Sequence, residues 1–265
     1  MSRTAISRLV AAVLTVALTA AAAVTTAGPA AAVANGEVVP EGHYRFSVKL
    51  TMTGIPTADG GRRNSACSGA LIAAQWIVTA GHCFRDVDGV RVDRPVADLT
   101  TATVGRADLT GDNGEVATVV TVHQSPTNDL ALAKLDQPVV GIMPVRLSRR
   151  APQIGDVLRI TGYGADNSVD PTPSTVLRTG QVQVTEVADA TVGVTGYQPR
   201  PDTSACPYDS GAPYFVEPPR HHGRHHGGPW LVAVESFGPG CPHTGVETTS
   251  RVDTIADWID GVIRN

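Results

Sequence analysis

Three short segments carry side chains whose types suit acyl transfer by a serine. Thr79-Ala80-Gly81-His82-Cys83 directly follows an apolar run containing Trp76, Ile77 and Val78. Asn128-Asp129-Leu130-Ala131-Leu132 places an acid at the mouth of a second apolar run. Cys206-Pro207-Tyr208-Asp209-Ser210-Gly211-Ala212-Pro213 is a turn-rich loop with one serine between an aspartate and a glycine. A serine hydroxyl needs a base to take its proton, a carboxylate to hold that base in the right tautomer, and donors for the developing oxyanion. Ser210, His82 and Asp129 are one candidate for each of the three side-chain roles. They lie far apart in the chain, so the fold has to bring them together.

The elements available for that task are mostly strands. Short runs rich in Val, Thr and Ile cover Phe46 to Met52, Leu71 to Thr79, Ala102 to Val104, Glu115 to Val122, Leu130 to Leu135, Val157 to Thr161, Val176 to Val187 and Trp230 to Ser236. Gly, Pro, Asn and Asp separate them, the pattern of an all-β sandwich or barrel. One helix is expected at the C-terminus, where Val252, Ile255, Ile259 and Ile263 fall on one face and Trp258 extends it. The stretch from Ala165 to Ser174 reads as a connection or a mobile loop.

The N-terminus reads as a secretory leader. Arg3 and Arg8 precede an apolar stretch from Leu9 to about Val24, and Ala30-Ala31-Ala32 gives a small-residue cleavage pattern. The apolar stretch falls short of the roughly 20 residues of a membrane span. Cleavage after Ala32 leaves 233 of 265 residues, enough for one large domain or two fused subdomains. A competing pattern, Ala32-Val33-Ala34, would instead start the chain at Asn35. The leader holds two of the 21 basic residues and none of the 25 acidic ones, so the remainder carries a net charge of −6. No basic cluster suggests nucleic acid. The four cysteines, Cys67, Cys83, Cys206 and Cys241, all follow the leader. An even count in an exported chain implies two disulfides, with three possible connectivities. His221, His222, His225 and His226 lie in a Pro/Gly-flanked tract that reads as an exposed loop, with metal binding as the alternative.

Taken in order, the three segments resemble the chymotrypsin/trypsin family of serine peptidases. The order His82, Asp129, Ser210 is that family's and differs from that of subtilisins and α/β-hydrolases. The likeness runs from about Val33 to the C-terminal helix. It implies two antiparallel six-stranded β-barrels, the first spanning residues 33 to about 145 and the second from there to 265. It also implies pairing of Cys67 with Cys83 and of Cys206 with Cys241. Ser236-Phe237-Gly238 is similar to the segment that pairs with substrate backbone, and Gly162-Tyr163-Gly164 to a motif after the interdomain region. A terminal amine at Val33 would ion-pair with Asp209, so that removal of the leader alone gives the active form. The expected protein is thus a secreted, monomeric endopeptidase, free of the membrane after leader cleavage. It acts on protein or peptide substrates and needs no metal or cofactor.

The chain departs from the family at Tyr208, at Ser204 and, as a smaller change, at Ala212, which replaces another glycine. Tyr208 stands where the family has glycine, at one of two backbone donors (Tyr208 and Ser210) of the oxyanion hole. A side chain there strains or flips the peptide, and a lost donor costs about 10²–10³ in turnover. A weak or inactive homologue that acts as a binding protein is the resulting alternative. Ser204 falls at the base of the expected substrate pocket, so the aspartate typical of trypsins is missing. Glu235, Gly245 and Glu247 map near the pocket walls. The two glutamates either offer a carboxylate to Lys or Arg or point to solvent.

Overall fold

The computed structural model describes residues 32–218, 220–221, 224–225 and 228–264. The assigned leader, apart from Ala32, lies outside them. Among these residues sixteen strands account for most of the order. β1 (Glu37–Val38) precedes β2 (Ser47–Pro56), β3 (Arg62–Ala73), β4 (Trp76–Thr79), β5 (Leu99–Val104), β6 (Glu115–Gln124) and β7 (Ala131–Leu135). Strands β2 to β7 close a barrel in the order β2-β3-β4-β7-β6-β5. Then come β8 (Arg146–Leu147), β9 (Val157–Gly162), β10 (Arg178–Val187), β11 (Thr191–Gln198) and β12 (Pro213–Val216). The hairpin β13 (Arg220–His221) and β14 (Arg224–His225) leads to β15 (Trp230–Phe237) and β16 (Glu247–Arg251). In this half β9, β10, β11, β16, β15 and β12 pair in sequence, and the β9–β12 and β9–β10 pairings close the second six-stranded barrel. The ladders within both barrels are antiparallel.

Alternation explains much of the core. In β2 the inward side chains Val48, Leu50 and Met52 are buried, and in β5 Ala102 and Val104. The apolar run expected as one strand from Leu71 to Thr79 is two. The chain turns between Ala73 and Trp76, and Ala70, Leu71 and Ala73 pair back on Val78, Ile77 and Trp76. Apolarity continues through that turn because both arms are buried, so periodicity alone could not mark it. Strands β11, β12, β16 and the polar first half of β3 were not expected. Gly, Thr, Ser or Arg interrupts β11, β16 and the first half of β3, and β12 is only four residues headed by a proline, so each is a strand by virtue of its neighbours.

A 3₁₀ turn at Asp253–Ile255 leads into helix α1 (Ala256–Arg264). Val252, Ile255 and Ile259 are buried in the same cluster as the first barrel's core, with Trp258 and Ile263 packed at its edge. Phe215, Leu231 and Val234 of the second barrel join that cluster. The two halves therefore share apolar burial as well as polar contacts. The Ala165–Ser174 stretch is a loop between β9 and β10, inside the second barrel rather than between barrels. In the histidine tract, His222, His226 and the side chains of His221 and His225 lie outside the described residues, and the choice between loop and metal site falls there.

Candidate active site

His82 sits in a 3₁₀ turn, Gly81–Phe84, immediately after β4. Cys83 in the same turn is bonded to Cys67 of β3, which ties the turn to the barrel wall. Asp129 lies two residues before β7, the strand paired with β4, so that pairing brings acid and imidazole together. The Asp129 Oδ1 accepts the His82 backbone N–H at 2.8 Å, and Oδ2 lies 2.6 Å from His82 Nδ1. Ser236 of the second barrel donates its hydroxyl to the same Oδ2 at 2.7 Å. Burial pushes the Asp129 carboxyl up, but the hydrogen bonds and charge of His82 and the Ser236 hydroxyl outweigh it and hold the pKa at about 2. Arg91 Nη1 stands 3.7 Å from Oδ1 and donates to the Asn128 carbonyl at 2.6 Å.

Ser210 reaches this pair from the other barrel. Its Oγ lies 2.7 Å from His82 Nε2. The loop before β12 is held in register by backbone bonds on both sides. Ser68 N–H donates to the Ser210 carbonyl at 2.9 Å, and Gly211 N–H to the Glu235 carbonyl at 2.8 Å. Gly211 has φ +82°, and a Cβ there would overlap the Thr79 hydroxyl and press on the Ser68 carbonyl at 2.5 Å. Only glycine permits so close an approach of the Ser210 loop to the first barrel.

Tyr208 adopts φ +77°, the left-handed conformation that glycine tolerates best. Its surroundings hold it there. The Pro207 carbonyl accepts the Ala165 N–H at 2.8 Å. The two polar ends of a trans peptide point in opposite directions, so the Tyr208 N–H faces away from Ala165. Among the described residues, neither the Tyr208 nor the Ser210 N–H donates to a protein acceptor. The Tyr208 carbonyl accepts from Ser68 Oγ at 3.2 Å, and its phenol donates to the Pro171 carbonyl at 3.3 Å. The ring packs against Ala165 and the Cys206–Cys241 disulfide.

Asp209 is buried and accepts N–H bonds from Gly164 at 2.7 Å, Cys206 at 3.0 Å and Val33 at 3.3 Å. Burial dominates, with the three donors opposing it, and the pKa rises to about 6. In the uncut chain Val33 offers a peptide N–H; cutting after Ala32 would turn it into an ammonium. Lys49 of β2 went unnoticed in the sequence. Its stem is sealed between the barrels, its Nζ donates to the Tyr163 carbonyl at 2.9 Å, and the Tyr163 and Tyr208 rings each lie 5.9 Å from the ammonium. Burial lowers its pKa to about 8, against the pull of Asp209. A lysine in a β-strand reads as solvent-facing unless the partner surface is known.

A cavity of about 290 Å³ opens beside Ser210 and is lined by Cys206, Ser236, Phe237, Gly238, Glu235 and Glu247 among others. Ser204 lies behind this wall, its hydroxyl accepting the His243 N–H at 3.3 Å. Gly245 is likewise set back, against His243 and Pro239. A register shift at Ser236 breaks the alternation of β15. The bulge lets Glu235 turn inward and Ser236 reach Asp129, while Phe237 is 66% exposed. Larger hollows of about 600 and 430 Å³ lie elsewhere on the surface and contain none of these groups.

The Trypsin family model matches residues 33–259. Mouse (Mus musculus) serine protease 56 is 29% identical over 254 residues, covering 86% of this chain and 38% of that protein. A beta-fibrinogenase-like protein of Daboia siamensis is 28% identical over 210 residues, covering 74% and 77%. The chain thus spans under two fifths of the length of serine protease 56. A solved structure of human heparin binding protein superposes with a TM-score of 0.64 at 23% identity, over 88% of this chain and 97% of its own, and shows the shared fold. Together with the two closed barrels, these matches place the chain in the trypsin family of chymotrypsin-like serine peptidases.

Proposed function

We propose that the protein is a secreted serine endopeptidase, with residues 33–265 as its peptidase domain. The observation that carries this reading is the unbroken chain of short contacts from Ser210 Oγ through His82 to Asp129. In the proposed cycle Ser210 Oγ attacks the scissile carbonyl while His82 Nε2 takes its proton. Asp129 keeps the imidazole proton on Nδ1, so Nε2 presents a lone pair to the serine, and it stabilises the imidazolium that follows. His82 then protonates the leaving amine. Water, deprotonated by the same nitrogen, releases the acyl group from Ser210.

The developing oxyanion would sit between the N–H groups of Tyr208 and Ser210. The hold on the Pro207 carbonyl by Ala165 supports an orientation in which the Tyr208 N–H is free for that role. Protein or peptide substrates follow from the family, and export follows from the leader. Among the described residues no helix is long and apolar enough to cross a membrane.

Labelling with a fluorophosphonate tests the reading directly. The secreted protein is expected to be labelled stoichiometrically, and Ser210→Ala to give no labelled band. An unlabelled but folded wild type would instead support the binding-protein alternative that Tyr208 raises.

A further inference from the structure

The cavity beside Ser210 is lined by two carboxyl groups and, among the described residues, by no Lys or Arg. Glu235, on β15, is 4% exposed and Glu247, on β16, is 2% exposed. Tyr214 of β12 donates its phenol to Glu235 Oε2 at 2.7 Å. His243 Nε2 lies 2.9 Å from Glu247 Oε1, and the two glutamates share a hydrogen bond. The other oxygen, Glu247 Oε2, lies against the cavity wall where any side chain on Gly238 would overlap it. Among the described residues no Lys or Arg nitrogen approaches either carboxyl within ion-pair distance; His243 alone does so.

Buried carboxyls in such a setting need protons or a cation. Burial pushes Glu235 far above the carboxylate range, with the charge of Glu247 adding to it. Burial likewise raises Glu247 to about 8, with Asp209 adding to the effect. The titratable groups facing the pair are Tyr214 from β12, Asp209 from the nucleophile loop and His243 from the loop before β16. Burial, the largest cause, keeps the Tyr214 phenol protonated. Burial lowers the His243 pKa, so His243 serves as a neutral donor to Glu247. The empty pocket is thus held by protons, and among the described residues a cation that would ionise Glu247 can only come from outside.

We infer that Glu247 is the specificity determinant of the substrate pocket and selects a cationic P1 side chain, Lys or Arg, with Glu235 as the positioning residue that donates its retained proton to the Glu247 carboxylate. This rests on the peptidase reading and deepens it. The carboxylate comes from β16 at the pocket wall, while Ser204 behind that wall contributes no charge. Entry of an ammonium or guanidinium releases the Glu247 proton to solvent, leaving one cation, one carboxylate and one carboxylic acid in the cavity. The charge balances without any group beyond those present.

The test separates pocket from chemistry. Processed Ser210→Ala protein is titrated by calorimetry with benzamidine and with uncharged benzamide, from pH 6 to 9. Benzamidine is expected to bind about 100-fold more tightly at pH 8.5. Its binding at pH 7 should release about one proton, read from the dependence of heat on buffer ionisation. Its affinity should fall as pH drops. A second substitution, Glu247→Gln, should remove most of the preference for benzamidine. Glu235→Gln should keep that preference and move its pH midpoint upward, because an amide is a weaker donor to the Glu247 carboxylate than the carboxylic acid it replaces. Equal binding of the two probes, binding of neither, or a preference that survives Glu247→Gln overturns the inference, and the unsubstituted pocket alone suffices to decide should a variant misfold. With wild-type enzyme, cleavage of a peptide library after Leu or Phe in preference to Lys or Arg would also overturn it while leaving the peptidase reading intact. Benzamidine binding without fluorophosphonate labelling would do the reverse.

Discussion

At Tyr208 a residue with a Cβ occupies a conformation that disfavours one by roughly 1–2 kcal/mol. The ring offsets this through its packing on the Cys206–Cys241 disulfide, its bond to the Pro171 carbonyl and its contact with the Lys49 ammonium. Two substitutions separate backbone from ring. Tyr208→Gly and Tyr208→Ala both lose the ring, but only alanine keeps a Cβ at positive φ. Urea denaturation should therefore find the alanine variant less stable than the glycine variant by about 1 kcal/mol. The reverse order would mean the loop relaxes out of the left-handed region once the ring is gone. At Asp129 the isosteric Asn would offer the imidazole a donor and invert its tautomer, so Asp129→Asn should lower kcat by on the order of 10⁴ with the fold intact.

The two disulfides act on elements rather than on single residues. Cys67–Cys83 pins the His82 turn to β3 across 16 residues, and Cys206–Cys241 pins the Ser210 loop to the cavity wall across 35 residues. Loop-closure entropy grows with the enclosed length, so the second bond contributes about 3–4 kcal/mol by that measure. Replacing Cys206 and Cys241 together by Ser should lower stability by about that amount, measured by urea denaturation. It should also raise KM more than it lowers kcat, because Cys206 lines the cavity whereas the His82–Asp129 pair is held by β4 and β7. Equal loss in both constants would place the disulfide's effect on Ser210 itself.

Across the whole molecule, the site is assembled where the barrels meet, and the chain's own N-terminal segment completes it. Ala34 pairs with Ser204, and Val33 reaches Asp209. Asp209 has a folded pKa of about 6 against an ordinary value of 3.8. Its contribution to stability is therefore full below 3.8 and lost as pH rises through about 6. The loss amounts to on the order of 2–3 kcal/mol. Asp129 has the opposite sign: its contribution is present above 3.8 and lost as pH falls through about 2, outside this window. Cutting after Ala32 would give Asp209 an ammonium partner and remove most of the loss. The secreted protein is thus expected to begin at Val33 by N-terminal sequencing. Its unfolding free energy should change less between pH 4 and 7 than that of a variant that keeps Ala32 joined to Val33. A secreted chain beginning at Asn35 would defeat this account.

The sequence by itself determined the groups that carry local chemical signals. His82, Asp129 and Ser210 stand out because each sits in a short, distinctive setting at a strand end, and the four cysteines stand out by count. The apolar periodicity of Val252, Ile255 and Ile259 likewise marked the C-terminal helix before any fold was known. Only the tertiary structure decided which way Glu235, Glu247 and Lys49 point. A strand residue's face is set by its register with neighbouring strands and by bulges such as that at Ser236, neither of which is written in the strand's own residues. The same reason hid β11, β12 and β16, whose burial depends on partners distant in the chain. It also left Tyr208 ambiguous, because the direction of its N–H depends on a bond to the Pro207 carbonyl from Ala165, forty-two residues earlier.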